Sequence, residues 1–98
     1  MNTLEGVIEQ RVRERPEGSY IAKLLLKGLD RVAQKVGEEA VETVIASKNP
    51  DQDTFESEAS DLVFHLMVLL QLRGSSLGKL AQVLTKRHPP TKAAPAKS

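Results

Sequence analysis

Ninety-eight residues, 14 of them Lys or Arg and 13 Asp or Glu, give one small domain with a net charge of +1 and no bulk charge for holding nucleic acid. The absence of Cys excludes disulfides, thiolate zinc sites and a Cys nucleophile, and three aromatics (Tyr20, Phe55 and Phe64) are too few for base-stacking platforms. A chain this short buries only about 60–65% of its unfolded surface, so it gains from oligomerisation.

The pattern is helical throughout, and nothing alternates like a strand. The start, Met1 to Gly6, lacks the basic residues and apolar run of a secretory signal. A first helix is expected from Thr3 to Arg15, stopped by Pro16, Glu17 and Gly18. Ser19 is placed to cap a second, carrying Ile21, Leu24, Leu25 and Leu26 as far as Gly28. A long third helix is expected from Leu29 or Asp30 to Lys48, ended by Asn49 and Pro50. Asp53 or Thr54 opens a fourth, which continues to Arg73. Gly74 and Ser75 break the chain, and Ser76 can cap a last helix from Leu77 to Arg87. The expected fold is all-α, a bundle of four to five helices over residues 1–88. Residues 89–98, short of large apolar groups, are expected to be a disordered Pro/Ala/Lys tail.

On the third helix, Val36, Ala40, Val41, Val44 and Ile45 occupy one half, while Glu38, Glu39 and Glu42 share the other. The fourth begins with Glu58, Asp61 and His65 on one stripe. It then turns apolar all round from Leu62 to Leu70. A helix without a wet face needs cover on every side, so a homodimer with this helix at or near its interface is expected. The apolar stretch Leu62 to Leu72, interrupted by His65 and Gln71, is far short of the roughly 20 residues that span a bilayer. A soluble cytoplasmic protein with no membrane partner is expected.

Glu39 with Glu42, and Glu58 with Asp61, sit three apart, so each pair points two carboxylates one way. Like charges so placed weaken a helix by a few tenths of a kcal/mol, roughly, per pair. No Lys or Arg stands four residues C-terminal to Glu38, Glu39 or Glu42 to offset them, and the second pair can face the first across a helical hairpin. A solvated acidic face is the plain alternative. The paired arrangement favours a hard cation, Mg2+, which keeps several waters and completes its shell with substrate phosphate oxygens. Such a metal polarises a phosphoryl oxygen and activates water, so phosphoanhydride hydrolysis is the expected chemistry.

Other polar residues keep two readings. Lys35 can pair with Glu39 across one turn or reach a substrate phosphate. Lys48 and Asn49 suit either a substrate contact or the negative end of a helix dipole. His65 fits a hydrogen-bonded core residue or a partner of a metal-bound carboxylate. Gly18, Ser19 and Tyr20 can bind phosphate through free N–H groups or simply cap a helix.

The run Pro16 to Tyr20 followed by Ala22, Lys23 and Leu24, then Lys35 to Glu42, Lys48-Asn49, and Glu58 through Asp61 to His65, resembles the phosphoribosyl-ATP pyrophosphohydrolases of histidine biosynthesis. The likeness runs in unbroken order from residue 3 to 88. The acidic motif alone marks only the wider MazG-like superfamily. The resemblance implies hydrolysis of phosphoribosyl-ATP to phosphoribosyl-AMP and pyrophosphate with Mg2+, by an all-helical dimer. It implies Glu39, Glu42, Glu58 and Asp61 as metal ligands, and Glu38 and Glu42 as catalytic carboxylates, Glu38 as a further ligand or the base. Ser19, Tyr20, Lys23, Lys35, Lys48 and Asn49 are the implied substrate contacts. The three lysines would meet phosphate charge that the metal does not offset. Some relatives are fused to a cyclohydrolase with Cys ligands to zinc, and without Cys this chain is expected to be monofunctional. Two other readings stand beside it: a housecleaning nucleoside triphosphate pyrophosphohydrolase, and a non-catalytic helical dimer with a cation-binding acidic face.

Overall fold

Helix boundaries follow the capping side chains. The computed structural model describes residues 2–90 and contains five helices: α1 (Asn2–Glu14), α2 (Tyr20–Leu26), α3 (Leu29–Ala46), α4 (Gln52–Leu72) and α5 (Leu77–Arg87). Ser19 Oγ accepts a hydrogen bond from the Ala22 N–H (2.9 Å) and Ser76 Oγ one from the Lys79 N–H (3.2 Å), so both serines cap as expected. The fourth helix opens earlier than Asp53 or Thr54. Asp51 caps it instead, accepting from the Asp53 N–H (3.3 Å) and from the Thr54 hydroxyl (2.6 Å). Arg15, at φ +49°, closes α1 in a left-handed turn, and Pro16 prevents its continuation. Only Lys27 and Gly28 separate α2 from α3, and Gly28 takes φ +91°, a conformation open to glycine at little cost. The expected tail falls mostly on residues 91–98, outside the described residues.

The core gathers Ile8 of α1, Ile21, Leu24 and Leu25 of α2, Val32 of α3, and Met67 and Val68 of α4. Burying side chains of this kind stabilises by about 1.5–3 kcal/mol each. All of α3's share comes from its N-terminal half and all of α4's from its C-terminal half. That end of the α3–α4 hairpin is therefore packed by α1 and α2, and the end near the connecting turn is not. The acidic residues lie toward the less covered end. Helix α5 buries no residue of its own. It is tied down by Leu77, which packs on the core and donates its N–H to Glu5 Oε2 at 2.7 Å.

The third helix is turned the other way from a simple amphipathic reading. Its buried positions are Val32, Glu39 and Ala46, seven residues apart, while Val41, Val44 and Ile45 stand about 60% exposed or more (59%, 60% and 66%). The face bearing Glu39 looks at α4, and the apolar stripe looks outward. On α4 most apolar residues are at least half-buried, so the largest uncovered apolar surface of the hairpin belongs to α3 rather than to α4. The radius of gyration, 15.8 Å, exceeds the roughly 13 Å of a compact chain of this length.

Candidate active site

Four carboxylates lie near one another where α3 and α4 face each other, close enough for their charges to act on Glu58. The half-buried Glu58 has its pKa raised, first by loss of hydration, then by the charges of Glu42, Asp61 and Glu39. Those neighbours are the residues the i, i+3 spacing brings together from sequence. Glu38 is not among them. It turns away, accepting a hydrogen bond from Gln34 Nε2 at 3.0 Å and lying 3.9 Å from Arg31.

A raised carboxyl pKa means that the fold prefers the neutral form. That contribution to stability is present below the ordinary carboxylate pKa and is lost as pH rises through the raised value. Glu58→Gln, which cannot ionise, is expected to melt above the parent at pH 7 and to show a flatter pH dependence. Thermal melts in chelator at pH 4 and pH 7 check this. An unchanged melting temperature at pH 7 would contradict the crowding of these charges.

Glu39 is the buried member of the cluster, at 6% exposure, and His65 beside it is at 5%. His65 Nδ1 lies 2.9 Å from the Asp61 carbonyl oxygen and 2.5 Å from Glu39 Oε1. A carbonyl only accepts, so Nδ1 carries a proton, and in the neutral ring Nε2 accepts from the Tyr20 hydroxyl at 2.7 Å. The direction of the Nδ1–H serves Asp61, and Glu39 Oε1 is left buried without a well-aligned donor. That oxygen, in contact with the His65 ring nitrogen but outside hydrogen-bond alignment, keeps lone pairs that a cation could take up. His65 is thus both a core residue and the neighbour of a candidate ligand. Lys35 Nζ sits 3.8 Å from Glu39 Oε2, the pairing anticipated across one turn. Tyr20→Phe leaves His65 Nε2 unpaired in a buried site and is expected to cost about 1–2 kcal/mol, read by urea denaturation.

The donor chemistry fits a hard divalent ion: oxygen-only ligands on two helices, one of them carrying a buried oxygen without an aligned hydrogen-bond donor. Among the described residues, no three His, Asp or Glu side chains converge at ligand distance.

Tyr20, Lys23 and Lys35 line one groove between α2 and α3, together with Lys27 and Arg31, which sequence reasoning passed over. Their signal was present as cations at 23, 27, 31 and 35, one every four residues, but Gly28 divides them between two helices. Ser19 is committed to its cap. Lys48 and Asn49 lie at the α3–α4 turn away from the groove, where Asn49 Oδ1 accepts from the Asp51 N–H at 2.8 Å.

Fold and site define a small all-helical protein with a carboxylate cluster across a helical hairpin and a basic groove beside it. The family model of phosphoribosyl-ATP pyrophosphohydrolase matches residues 1–88, and the chain belongs to that family. Phosphoribosyl-ATP pyrophosphatase of Metallosphaera sedula is 49% identical over 87 residues, covering 89% of this chain and 94% of that protein. The Zymomonas mobilis protein of the same name is 51% identical over 85 residues, 87% of this chain and 79% of the relative. Histidine biosynthesis bifunctional protein HisIE of Bacillus subtilis is 48% identical over 88 residues, 90% of this chain but 42% of the relative. The chain therefore spans about two fifths of the length of the bifunctional relatives it matches. Among the described residues no helix is long and apolar enough to cross a membrane.

Proposed function

We propose that this chain is a cytoplasmic, Mg2+-dependent homodimeric enzyme that hydrolyses phosphoribosyl-ATP to phosphoribosyl-AMP and pyrophosphate, the second step of histidine biosynthesis. The observation that carries the reading is the placing of Glu39, Glu42 and Asp61 near enough to Glu58 for their charges to act on it, in a chain whose first 88 residues match the family. These four would hold the cation. When bound there, Mg2+ supplies neutralisation of the phosphates and polarisation of a phosphoryl oxygen.

The remaining work falls to the protein's own groups. Glu42, in the cluster and open to solvent, takes the proton as a water oxygen bonds to the α-phosphorus and the bond to the β-phosphate oxygen breaks. Pyrophosphate departs with that bridging oxygen. Glu38, held toward Gln34 and Arg31, is the poorer base as placed. Lys35 meets phosphate charge next to Glu39. Tyr20 and His65 fix the orientation of the Glu39 side of the site, as partners behind a ligand commonly do. The exposed Val41, Val44 and Ile45 supply the apolar surface for the second subunit.

Pyrophosphate release from phosphoribosyl-ATP, ATP and dCTP, with and without Mg2+, tests the reading. Mg2+-dependent turnover of phosphoribosyl-ATP alone supports it. Preference for ATP or dCTP would make the chain a housecleaning enzyme, and release from none would leave a binding or structural acidic face.

A further inference from the structure

The basic groove has a chemistry of its own. It encloses about 280 Å3 and is lined by Tyr20, Lys23, Leu24, Lys27, Arg31 and Lys35, four cations and no carboxylate. That volume is at the small end of ligand pockets, about 300–1,000 Å3, and suits a sugar phosphate better than a whole nucleotide. Lys23 and Lys27 make no ion pair among the described residues, and Arg31 and Lys35 make only long ones at 3.9 Å and 3.8 Å. Four like charges gathered without close partners are a cost that a bound anion removes.

The groove also has a direction. Lys35 is one turn from Glu39 and touches the carboxylate cluster, whereas Arg31 lies eight residues from Glu39. Eight residues of helix span about 12 Å. Along the helix the Arg31 position is thus about 12 Å from that of Glu39. Its guanidinium lies beside Glu38 (3.9 Å), which is turned away from the carboxylate cluster, so the Lys27–Arg31 end is set apart from the bond being cut. It is at the distance a nucleoside places between its 5′-phosphates and a substituent on its base. Building on the function proposed above, we propose that Lys27 and Arg31 bind the phosphomonoester of the substrate's phosphoribosyl group, with Lys23 beside them. A phosphomonoester with its second pKa near about 6 is largely a dianion at pH 7, and a guanidinium can grip it through two parallel hydrogen bonds. Simple nucleoside triphosphates carry no phosphate there, so this contact separates phosphoribosyl-ATP from ATP. The scissile phosphates stay at the Lys35 end.

The test uses ribose 5-phosphate as probe and requires no turnover. In amide-resolved NMR titrations of the full chain, ribose 5-phosphate is expected to shift residues 20–35, and ribose is expected to shift none of them. Lys27→Met with Arg31→Met should weaken ribose 5-phosphate at least tenfold while changing the affinity for Mg2+-pyrophosphate less than twofold. No shifts at tens of millimolar, shifts centred elsewhere, unchanged affinity in the variant, or equal weakening of both probes would overturn the subsite. If the double variant loses its dispersed spectrum, Lys27→Met alone, at an exposed position without a partner, carries the same comparison. A chain that binds ribose 5-phosphate in the groove yet never hydrolyses phosphoribosyl-ATP refutes the proposed reaction and leaves the subsite standing. One that hydrolyses it without such binding does the reverse.

Discussion

Glu42→Gln is expected to lower kcat for phosphoribosyl-ATP by about a thousandfold while leaving the helices intact. A positioned general base is worth roughly 10²- to 10⁴-fold, and an amide of the same shape can neither take the proton nor contribute charge to a cation. Glu42 is one of the charges that raise the pKa of Glu58. Removing that charge relieves the repulsion on Glu58, so the metal-free variant should melt no lower than the parent. Activity and stability thus move in different directions, which a purely structural acidic face does not predict. Glu38→Gln is the paired measurement. Because Glu38 is held by Gln34 at 3.0 Å and faces Arg31, its loss should cost less than about tenfold, below the range of a general base. If the Glu38 variant proves as slow as the Glu42 variant, the base has been assigned to the wrong carboxylate.

Which parts of this arrangement sequence could disclose follows from how local each determinant is. Pro16, Pro50 and the serine caps act within one turn, so the five helices were readable to within a few residues. The start of α4 was misplaced because three candidates, Asp51, Asp53 and Thr54, stand together. Only the geometry shows Asp51 accepting from the other two. The i, i+3 acid pairs were legible because a single helix fixes their direction, and α3 and α4 then bring them face to face. The inward turn of Glu39 was not legible. Hydrophobic patterning assigns Val41, Val44 and Ile45 to a covered face, but it does not say whether the cover comes from the same chain or another. The Tyr20–His65 hydrogen bond joins residues 45 positions apart, a contact no local pattern carries.

Replacing Val44 and Ile45 together by Lys is expected to convert the proposed dimer to monomer at micromolar concentration, read by light scattering coupled to gel filtration. In the single chain both side chains are about 60% exposed or more (60% and 66%). Substitutions at such sites usually change the stability of an isolated domain by no more than about 0.5 kcal/mol, and cations near the C-terminus of α3 suit its dipole. Placed in an apolar subunit interface, the same ammonium groups lose hydration without gaining partners, at a cost of several kcal/mol. A cost of about 4 kcal/mol raises Kd roughly a thousandfold. The consequence should reach the active site. At 100° per residue, Glu42 is offset from Ile45 by only about 60°, so it lies on the seam between the carboxylate face and the apolar stripe. A subunit covering Val41 and Ile45 would wall one side of Glu42, lower the dielectric around it and strengthen its interactions with charge. Activity of the double variant should therefore fall with the dimer and recover as protein concentration approaches the new Kd. A parent chain that runs as a monomer, or a double variant that remains dimeric and fully active, would remove α3 from the interface.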